Sequence, residues 1–202
     1  MSGLSHIAPI GLLAAMLLPL AGCDTFGLNF GSPAPSAPVQ RAIDYRNDDL
    51  SSMVFALDLP ANLQPVPSRS VLTFDATTAE NSGKHVKASL TLVDGDAASG
   101  TLPPPSAGRT YYLLGTGAKD KAALRAAQTW LKALPPDAAP VTVLQVVPRF
   151  CSSGPVDPAA AVISILPALP SGGALAPLVS TEPLSNLLDD SSGKLPACTK
   201  HG

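Results

Sequence analysis

The sequence predicts an α+β fold that is rich in β-structure, mainly an antiparallel sheet or sandwich. Three observations lead to this prediction. Several short apolar segments are separated by turn signals, which is typical of antiparallel sheet proteins. One segment alternates apolar and polar residues, as a half-buried strand does. One stretch, about residues 119–134, carries apolar residues at the spacing of an amphipathic helix, and a second, short helix is expected near 183–189.

The strand predictions follow the apolar segments in chain order. The clearest strand places Val86, Ala88, Leu90 and Leu92 on one face, with polar residues between them. Further strands are predicted wherever a run of apolar or β-branched residues lies between turn signals. Together, the predicted strands span residues 53–59, 71–76, 86–92, 110–114, 141–147, 162–166 and 175–179.

Prolines and turn residues set the ends of these strands. Pro60 ends the first strand and Pro148 ends the strand at 141–147, because proline lacks the backbone N–H that a ladder needs. Residues 94–96 (Asp-Gly-Asp) predict a turn, and residues 171–173 (Ser-Gly-Gly) predict a hairpin between the last two strands. Three prolines limit those last strands to sheet edges, namely Pro167, Pro170 and Pro177.

The predicted helix at 119–134 has a shallow, alanine-rich apolar stripe that ends before Pro135 and Pro136. The stripe consists of Ala123, Leu124, Ala127, Leu131 and Leu134. We expect it to pack on a sheet, although its basic polar face would also suit anionic lipid. The short helix near 183–189 is expected to use Thr181 as its N-cap and Pro183 in its first turn, with leucines 184, 187 and 188 facing inward.

The N-terminus carries a targeting signal. Residues 1–23 contain no Lys, Arg, Asp or Glu, and the apolar run at 7–20 is shorter than the roughly 20 residues that span a bilayer. Leu20, Ala21, Gly22 and Cys23 follow it, and this segment resembles the lipobox of the bacterial lipoprotein signal peptide. The resemblance covers residues 1–23 only, and it identifies no family for the rest of the chain.

The resemblance implies a diacylglyceryl thioether on Cys23, cleavage before Cys23 and acylation of the new amino group. The chain would then be anchored by lipid in the bacterial cell membrane and face the periplasm. Asp24 resembles the inner-membrane retention signal of enteric bacteria, but the choice between inner and outer membrane stays open. An uncleaved anchor, or a secretory signal with an incidental cysteine, is the alternative.

Three regions follow from this interpretation. Residues 1–22 form the signal peptide, 23–41 form the lipidated cysteine and a flexible tether rich in Pro, Gly, Ser and Ala, and 42–202 form a single globular periplasmic domain. Phe26 and Phe30 interrupt the tether, and we expect a mobile linker there. Insertion of these two rings into lipid, or docking on the domain, is the alternative.

The number of cysteines in the chain predicts one disulfide. If Cys23 carries lipid, Cys151 and Cys198 remain as an even pair in an exported protein. A bond between them would close a loop of about 48 residues and stabilise the fold by about 4 kcal/mol in the chain-entropy description. Two free thiols or an intermolecular bond are the alternatives.

The composition excludes several classes of function. The 13 basic and 15 acidic residues give a net charge of −2 and no basic patch, so we expect no nucleic-acid partner. The sequence contains no metal-binding, phosphate-binding or nucleophile-elbow motif with the required spacing. We therefore expect no metal, no cofactor and no catalytic residue. His85 lies on the polar side of a strand and His201 lies in the tail. Three aspartate pairs, at 48–49, 94–96 and 189–190, are assigned to turns rather than to Ca²⁺.

Aromatic residues leave one further question. Tyr111 and Tyr112 are neighbours on a strand and must point to opposite faces, so at most one of them is expected to enter the core. Trp130 and Phe150 are also assigned to the core, although these aromatic side chains could instead line a cleft.

The leading hypothesis is a lipid-anchored cell-envelope protein without catalytic activity that binds another envelope component, such as a protein or peptidoglycan, or supports an assembly. The membrane is its first partner, through Cys23. The alternative is a periplasmic module that binds a small ligand such as a sugar, a peptide or a lipid. A hydrolase ranks third, because no spacing in the sequence supports one.

Overall fold

The structure is a computed structural model that describes residues 40–80, 82–95, 102–188 and 194–199. Several predicted features lie outside the described residues, namely the signal peptide, Cys23, the tether up to residue 39, the aspartates at 189–190 and His201. The strands are β1 (Val54–Pro60), β2 (Leu63–Pro65), β3 (Val71–Thr77), β4 (Gly83–Leu92), β5 (Arg109–Thr116), β6 (Val141–Val147), β7 (Phe150–Ser152), β8 (Val162–Ala168) and β9 (Val179–Pro183). The helix α1 spans Ala118–Ala133, and 3₁₀ turns span Pro67–Arg69 and Leu184–Leu187.

Seven of the strands in the described part of the chain form one curled antiparallel sheet, in the order β6-β3-β4-β5-β1-β8-β9. The predicted β-rich α+β class with an antiparallel sheet is therefore confirmed. β2 and β7 form a separate two-stranded ladder, in which Gln64 faces Cys151. Sequence analysis missed this ladder because strands of three residues carry too little periodicity to be recognised.

The main core lies between the inner face of the sheet and α1. Its largest buried side chains include Phe55, Leu57, Phe74 and Leu90. β4 alternates as predicted from Val86 to Leu90, because Val86, Ala88 and Leu90 are buried and the intervening residues are exposed. The prediction was wrong at Leu92, which is 56% exposed at the end of the strand. Each such strand therefore contributes one apolar face to the core, and we call the opposite face of the sheet its outer face.

A smaller apolar cluster covers part of the outer face over β5, β1 and β8. Its buried members are Val54, Ala56, Leu113 and Ala168, and side chains from the connection between β4 and β5 pack on it. Val93 lies so close to Gly115 that a Cβ atom there would come within 2.9 Å of Val93 Cγ1. The two apolar layers explain why β1 is buried on both faces along most of its length.

α1 packs on β4 and β3 with Leu124, Ala127 and Leu131 buried. The predicted stripe was wrong at Ala123, which is exposed, and Gln128 takes a buried place instead. The helix ends at Ala133 because Pro135 disfavours helical backbone at the residue before it. The helix boundaries therefore agree with the predicted 119–134 to within one residue at each end.

The last part of the chain differs from the prediction. β9 covers Val179–Pro183 rather than 175–179, and Leu175 forms only an isolated bridge with Arg41. Pro177 has no N–H to donate, and pairing with β8 begins only beyond it, at Val179 opposite Ile165. β9 does not extend along β8 beyond Ile165, so β8 is locally an edge at Pro167, as expected for proline.

The short helix predicted near 183–189 is only the 3₁₀ turn Leu184–Leu187, and its N-cap is Pro183. Thr181 was wrongly assigned as the cap: it lies in β9 with a positive φ of 54°, and its N–H donates to Ser164 Oγ at 3.0 Å. Leu184 is fully buried, as predicted, and Leu187 and Leu188 pack partly buried against the core.

Candidate binding surface

The described residues contain no group of three or more His, Cys, Asp and Glu side chains that could hold a metal ion, and no helix among them is long and apolar enough to cross a membrane. His85 lies on the exposed face of β4, where its Nδ1 contacts Asp75 Oδ1 on the neighbouring strand β3. This position on the polar side of a strand is the one that the alternation of β4 predicts.

Cys151 and Cys198 form a disulfide, with Cα atoms 4.9 Å apart, as predicted from the cysteine count. Backbone hydrogen bonds support the same junction, since Ser152 N–H donates to Pro196 O and Cys198 N–H donates to Ser152 O, both at 2.9 Å. The bond therefore fastens the segment around Cys198 to β7.

The aspartates at 48–49 belong to a turn. Asp48 accepts a bidentate pair of hydrogen bonds from Arg41, both 2.7 Å, and Asp49 accepts from Ser51. The hydrogen bond from Arg41 lowers the pKa of Asp48, and that from Ser51 lowers the pKa of Asp49. Both carboxylates thus make hydrogen bonds to residues nearby in the chain, as aspartates at turns commonly do.

β6 forms one edge of the sheet. Its sequence, VTVLQVV, contains no charge and no proline over seven residues, and its register with β3 is regular throughout. Val141 is 70% exposed and Val143 is 49% exposed, both on the outer face. Within the described residues, no strand and no hydrogen bond engages the free edge of β6.

The opposite edge of the sheet is β9, and it is protected. β9 has five residues, its pairing with β8 contains a register shift, and Thr181 has a left-handed backbone. Glu182 adds a charge to this edge, and Pro183 has no N–H that could donate to an added strand. Short length, irregularity, charge and proline are the devices by which proteins prevent strand addition at an edge. β9 uses all of them, and β6 uses none within its seven residues.

A groove of about 610 Å³ adjoins the N-terminal end of β6. Its walls are largely apolar and come from the segment before β1, the end of α1 and the loop at 135–140. They include Ile43, Tyr45, Leu131, Pro136, Pro140 and Thr142. Since Thr142 belongs to β6, a strand added at this edge would pass the mouth of the groove.

One buried polar side chain positions the wall of this groove. Gln128 is 6% exposed, and its Nε2 donates to Tyr45 O at 3.1 Å and to Asp48 O at 2.6 Å. Its Oε1 accepts from Leu50 N–H at 3.3 Å. The Tyr45 ring lies 5.9 Å from the Phe74 ring, and burial raises the pKa of Tyr45. Sequence analysis missed this role because Gln128 looked like the polar side of an amphipathic helix.

Charge is distributed unequally along β6. A cavity near its N-terminal end is lined by Glu80 and Asp137, and the adjoining groove adds Asp44 and Arg46, so acidic side chains outnumber basic ones at this end. A smaller cavity near its C-terminal end is lined by Arg69, Arg149 and Lys194, and the described residues contribute no acidic side chain to its lining. The uncharged strand thus connects an acidic end to a basic end, about 20 Å apart at 3.3 Å per residue.

The aromatic residues singled out in the sequence do not gather in one cleft. Phe150 is buried, and Tyr112 and Trp130 pack partly buried on the main core. Tyr111 packs on the outer cluster, so the two tyrosines do point to opposite faces. Burial beside Asp58 raises the pKa of Tyr111.

No protein-family model, no curated protein and no solved structure matches this chain. The features of the β6 edge and the adjoining groove are therefore the basis for assigning a function. An open sheet edge, a neighbouring apolar groove and a gradient of charge along the edge are features of recognition surfaces for extended polypeptides.

Proposed function

We propose that this protein is a lipid-anchored module of the bacterial cell envelope that has no catalytic activity and works by binding or assembly. Its binding surface is the free edge of β6 together with the groove beside it. The observation that carries the proposal is the contrast between the two sheet edges: β9 is protected and β6 is regular, uncharged and exposed at Val141 and Val143. An open edge of this kind is a template for an added strand.

The energetics favour strand addition over a loose apolar contact. An added strand would satisfy the outward backbone groups of β6 and cover the exposed parts of Val141 and Val143. Each net hydrogen bond contributes about 0.5–1.5 kcal/mol, and apolar burial adds about 25 cal/mol per Å². Several such bonds in register give an extended partner both affinity and direction.

A lipid anchor on Cys23 would strengthen this binding. Two or three acyl chains hold a protein firmly at a membrane, because each buried CH₂ contributes about 0.8 kcal/mol. Confinement to one surface raises the effective concentration of partners that share that membrane. A modest edge interaction is then sufficient for assembly.

A photo-crosslinking amino acid at position 143 of the full-length chain tests the proposal in intact envelopes. We expect a protein adduct, and we expect its loss when Pro replaces Thr142 or Leu144 nearby. The matched control carries the same probe at Ser180, which is exposed on the protected β9 edge. If position 143 gives no more adduct than position 180, the β6 edge is not a binding surface.

The anchor needs its own measurement. Mass analysis of the mature N-terminus should find a diacylated or triacylated Cys23, and Cys23→Ala should release the protein from the membrane fraction. An unmodified Cys23 on the mature chain would contradict the lipoprotein proposal.

The groove favours a second candidate, a small ligand. Its volume of about 610 Å³ lies within the usual range for ligand pockets, and Ile43, Leu131, Pro136 and Pro140 give it apolar walls. Native mass spectrometry of the purified protein would detect a retained sugar, peptide or lipid. A copurified small molecule that is lost on Ile43→Arg, combined with no adduct at position 143, would favour this candidate over the first.

A further inference from the structure

We infer that the occupant of the β6 edge is a second copy of this chain, paired antiparallel through β6 about a two-fold axis at Leu144. The inference rests on the proposed binding surface and names its partner. In this register, residue numbers of facing positions add up to 288, so that Leu144 faces Leu144 of the second copy.

The sequence of β6 is self-complementary in this register. Val141 faces the second copy's Val147, Val143 faces its Gln145, and Thr142 faces its Val146. The Val141–Val147, Thr142–Val146 and Leu144–Leu144 pairs join apolar or β-branched residues, the Val143–Gln145 pair sets a valine beside an uncharged amide, and no charged pair arises within the strand. Cross-strand pairs of this type are the favourable unit of sheet formation.

The ends of β6 fix the register. Pro140 precedes the strand and Pro148 follows it, and neither has an N–H to offer to a ladder. A two-fold axis at Leu144 is the only position that pairs all seven residues of one strand with all seven of the other. Any shift along the strand leaves exposed valines or unpaired backbone at the ends.

The charge distribution gives the direction. Antiparallel pairing places the acidic end of one strand, with Glu80 and Asp137, beside the end of the other strand that carries Arg69. The same complementarity occurs twice because the axis is two-fold. Parallel pairing would instead bring like charges together, which is unfavourable.

The pairing also continues the core. Leu144 and Val146 point to the inner face and are almost completely buried in the single chain. Leu144 of each copy would meet across the axis, so that the two inner faces become continuous. The contact is small compared with the roughly 1,200 Å² of a stable interface, so we expect a weak dimer that confinement to a membrane strengthens.

Cysteine crosslinking of the full-length chain in membranes tests this register. The double variant Val143→Cys, Gln145→Cys should give a dimer band on a nonreducing gel under mild oxidation. The reason is that position 143 of each copy lies opposite position 145 of the other. The control is Ser180→Cys on β9, which should remain monomeric. Both variants change exposed positions, and an unchanged melting temperature would show that they are folded.

A charge exchange provides a second test by analytical ultracentrifugation in detergent. Val143→Lys should raise the dimer dissociation constant at least about tenfold, because it places two lysines near the axis. Adding Gln145→Glu should restore most of the affinity, since each lysine then faces a glutamate of the second copy. A merely structural defect at position 143 would not be repaired by the second change.

The outcomes separate this inference from the proposed function. Dimer bands for the 143/145 pair and rescue by the charge exchange support the homodimer. Adducts at position 143 that contain only a different protein, with no dimer band, overturn the homodimer and leave the edge as a binding surface. No adduct of any kind at position 143 overturns both.

Discussion

Gln128 is expected to hold the segment before β1 on the helix, and its substitution tests how the groove beside β6 is built. Gln128→Leu keeps a similar volume but removes all three hydrogen bonds to Tyr45 O, Asp48 O and Leu50 N–H. Leucine leaves these backbone groups without a hydrogen-bond partner. A buried polar group without a partner destabilises the fold by more than the net contribution of the hydrogen bond it loses.

The magnitude follows from the three bonds. At about 0.5–1.5 kcal/mol for each, the free energy of unfolding should fall by about 3 kcal/mol. With a urea m-value of about 2 kcal/mol per M, the midpoint of urea unfolding should fall by about 1.5 M. Amide exchange at Leu50, whose N–H donates to Gln128 Oε1, should also become faster.

The matched control is Thr129→Ala, one residue along the same helix. Thr129 is exposed, and its hydroxyl donates only to Arg125 O one turn earlier, so the expected change lies within about 0.5 kcal/mol. If Gln128→Leu behaves like Thr129→Ala, the three bonds do not stabilise the fold and the groove wall is held in place by apolar packing alone.

Three further predictions concern stability. Replacing Cys151 and Cys198 by serine should lower the free energy of unfolding by about 4 kcal/mol, measured by urea unfolding, since the bond closes a separation of 47 residues; an unchanged midpoint would contradict this. Arg109→Lys should lower the free energy of unfolding by about 1–2 kcal/mol. The guanidinium donates to Asp58 Oδ1, Asp58 O and Val162 O and so joins three strands, whereas a lysine cannot reach all three acceptors. A decrease no larger than that caused by an exposed substitution would refute this prediction. The lowered pKa of Asp48 means that its contribution is present above its unfolded pKa near 4 and is lost as the pH falls through the lower folded value. Stability should therefore decrease below about pH 4, and the decrease should be smaller in Asp48→Asn, as thermal unfolding between pH 2 and 7 would show.

The β6 edge illustrates how a local sequence acquires its meaning from its neighbours. VTVLQVV predicts a strand in any context, because it is β-branched, apolar and bounded by prolines. A central strand with this sequence would be hidden on both edges and would carry no functional information. Its position at the end of the sheet, next to β3 only, turns the same residues into an exposed sheet edge.

Long-range pairings were the part of the fold that sequence patterns could not supply. The order β6-β3-β4-β5-β1-β8-β9 places β1 between β5 and β8, which are distant in sequence. Alternation identifies a strand and its buried face but contains no record of which strand lies beside it. The outer apolar cluster was hidden for the same reason, since Val54 and Ala56 looked like part of one continuous apolar run.

Local periodicity, the positions of prolines and the two cysteines of the domain were enough to predict the fold class, the bounds of α1 to within a residue, most strands and the disulfide. The exposed strand, the contacts of Gln128 and the role of Thr181 became visible only in the assembled fold. Those properties depend on contacts between residues far apart in the chain, and their energies arise only when the sheet has assembled around its core.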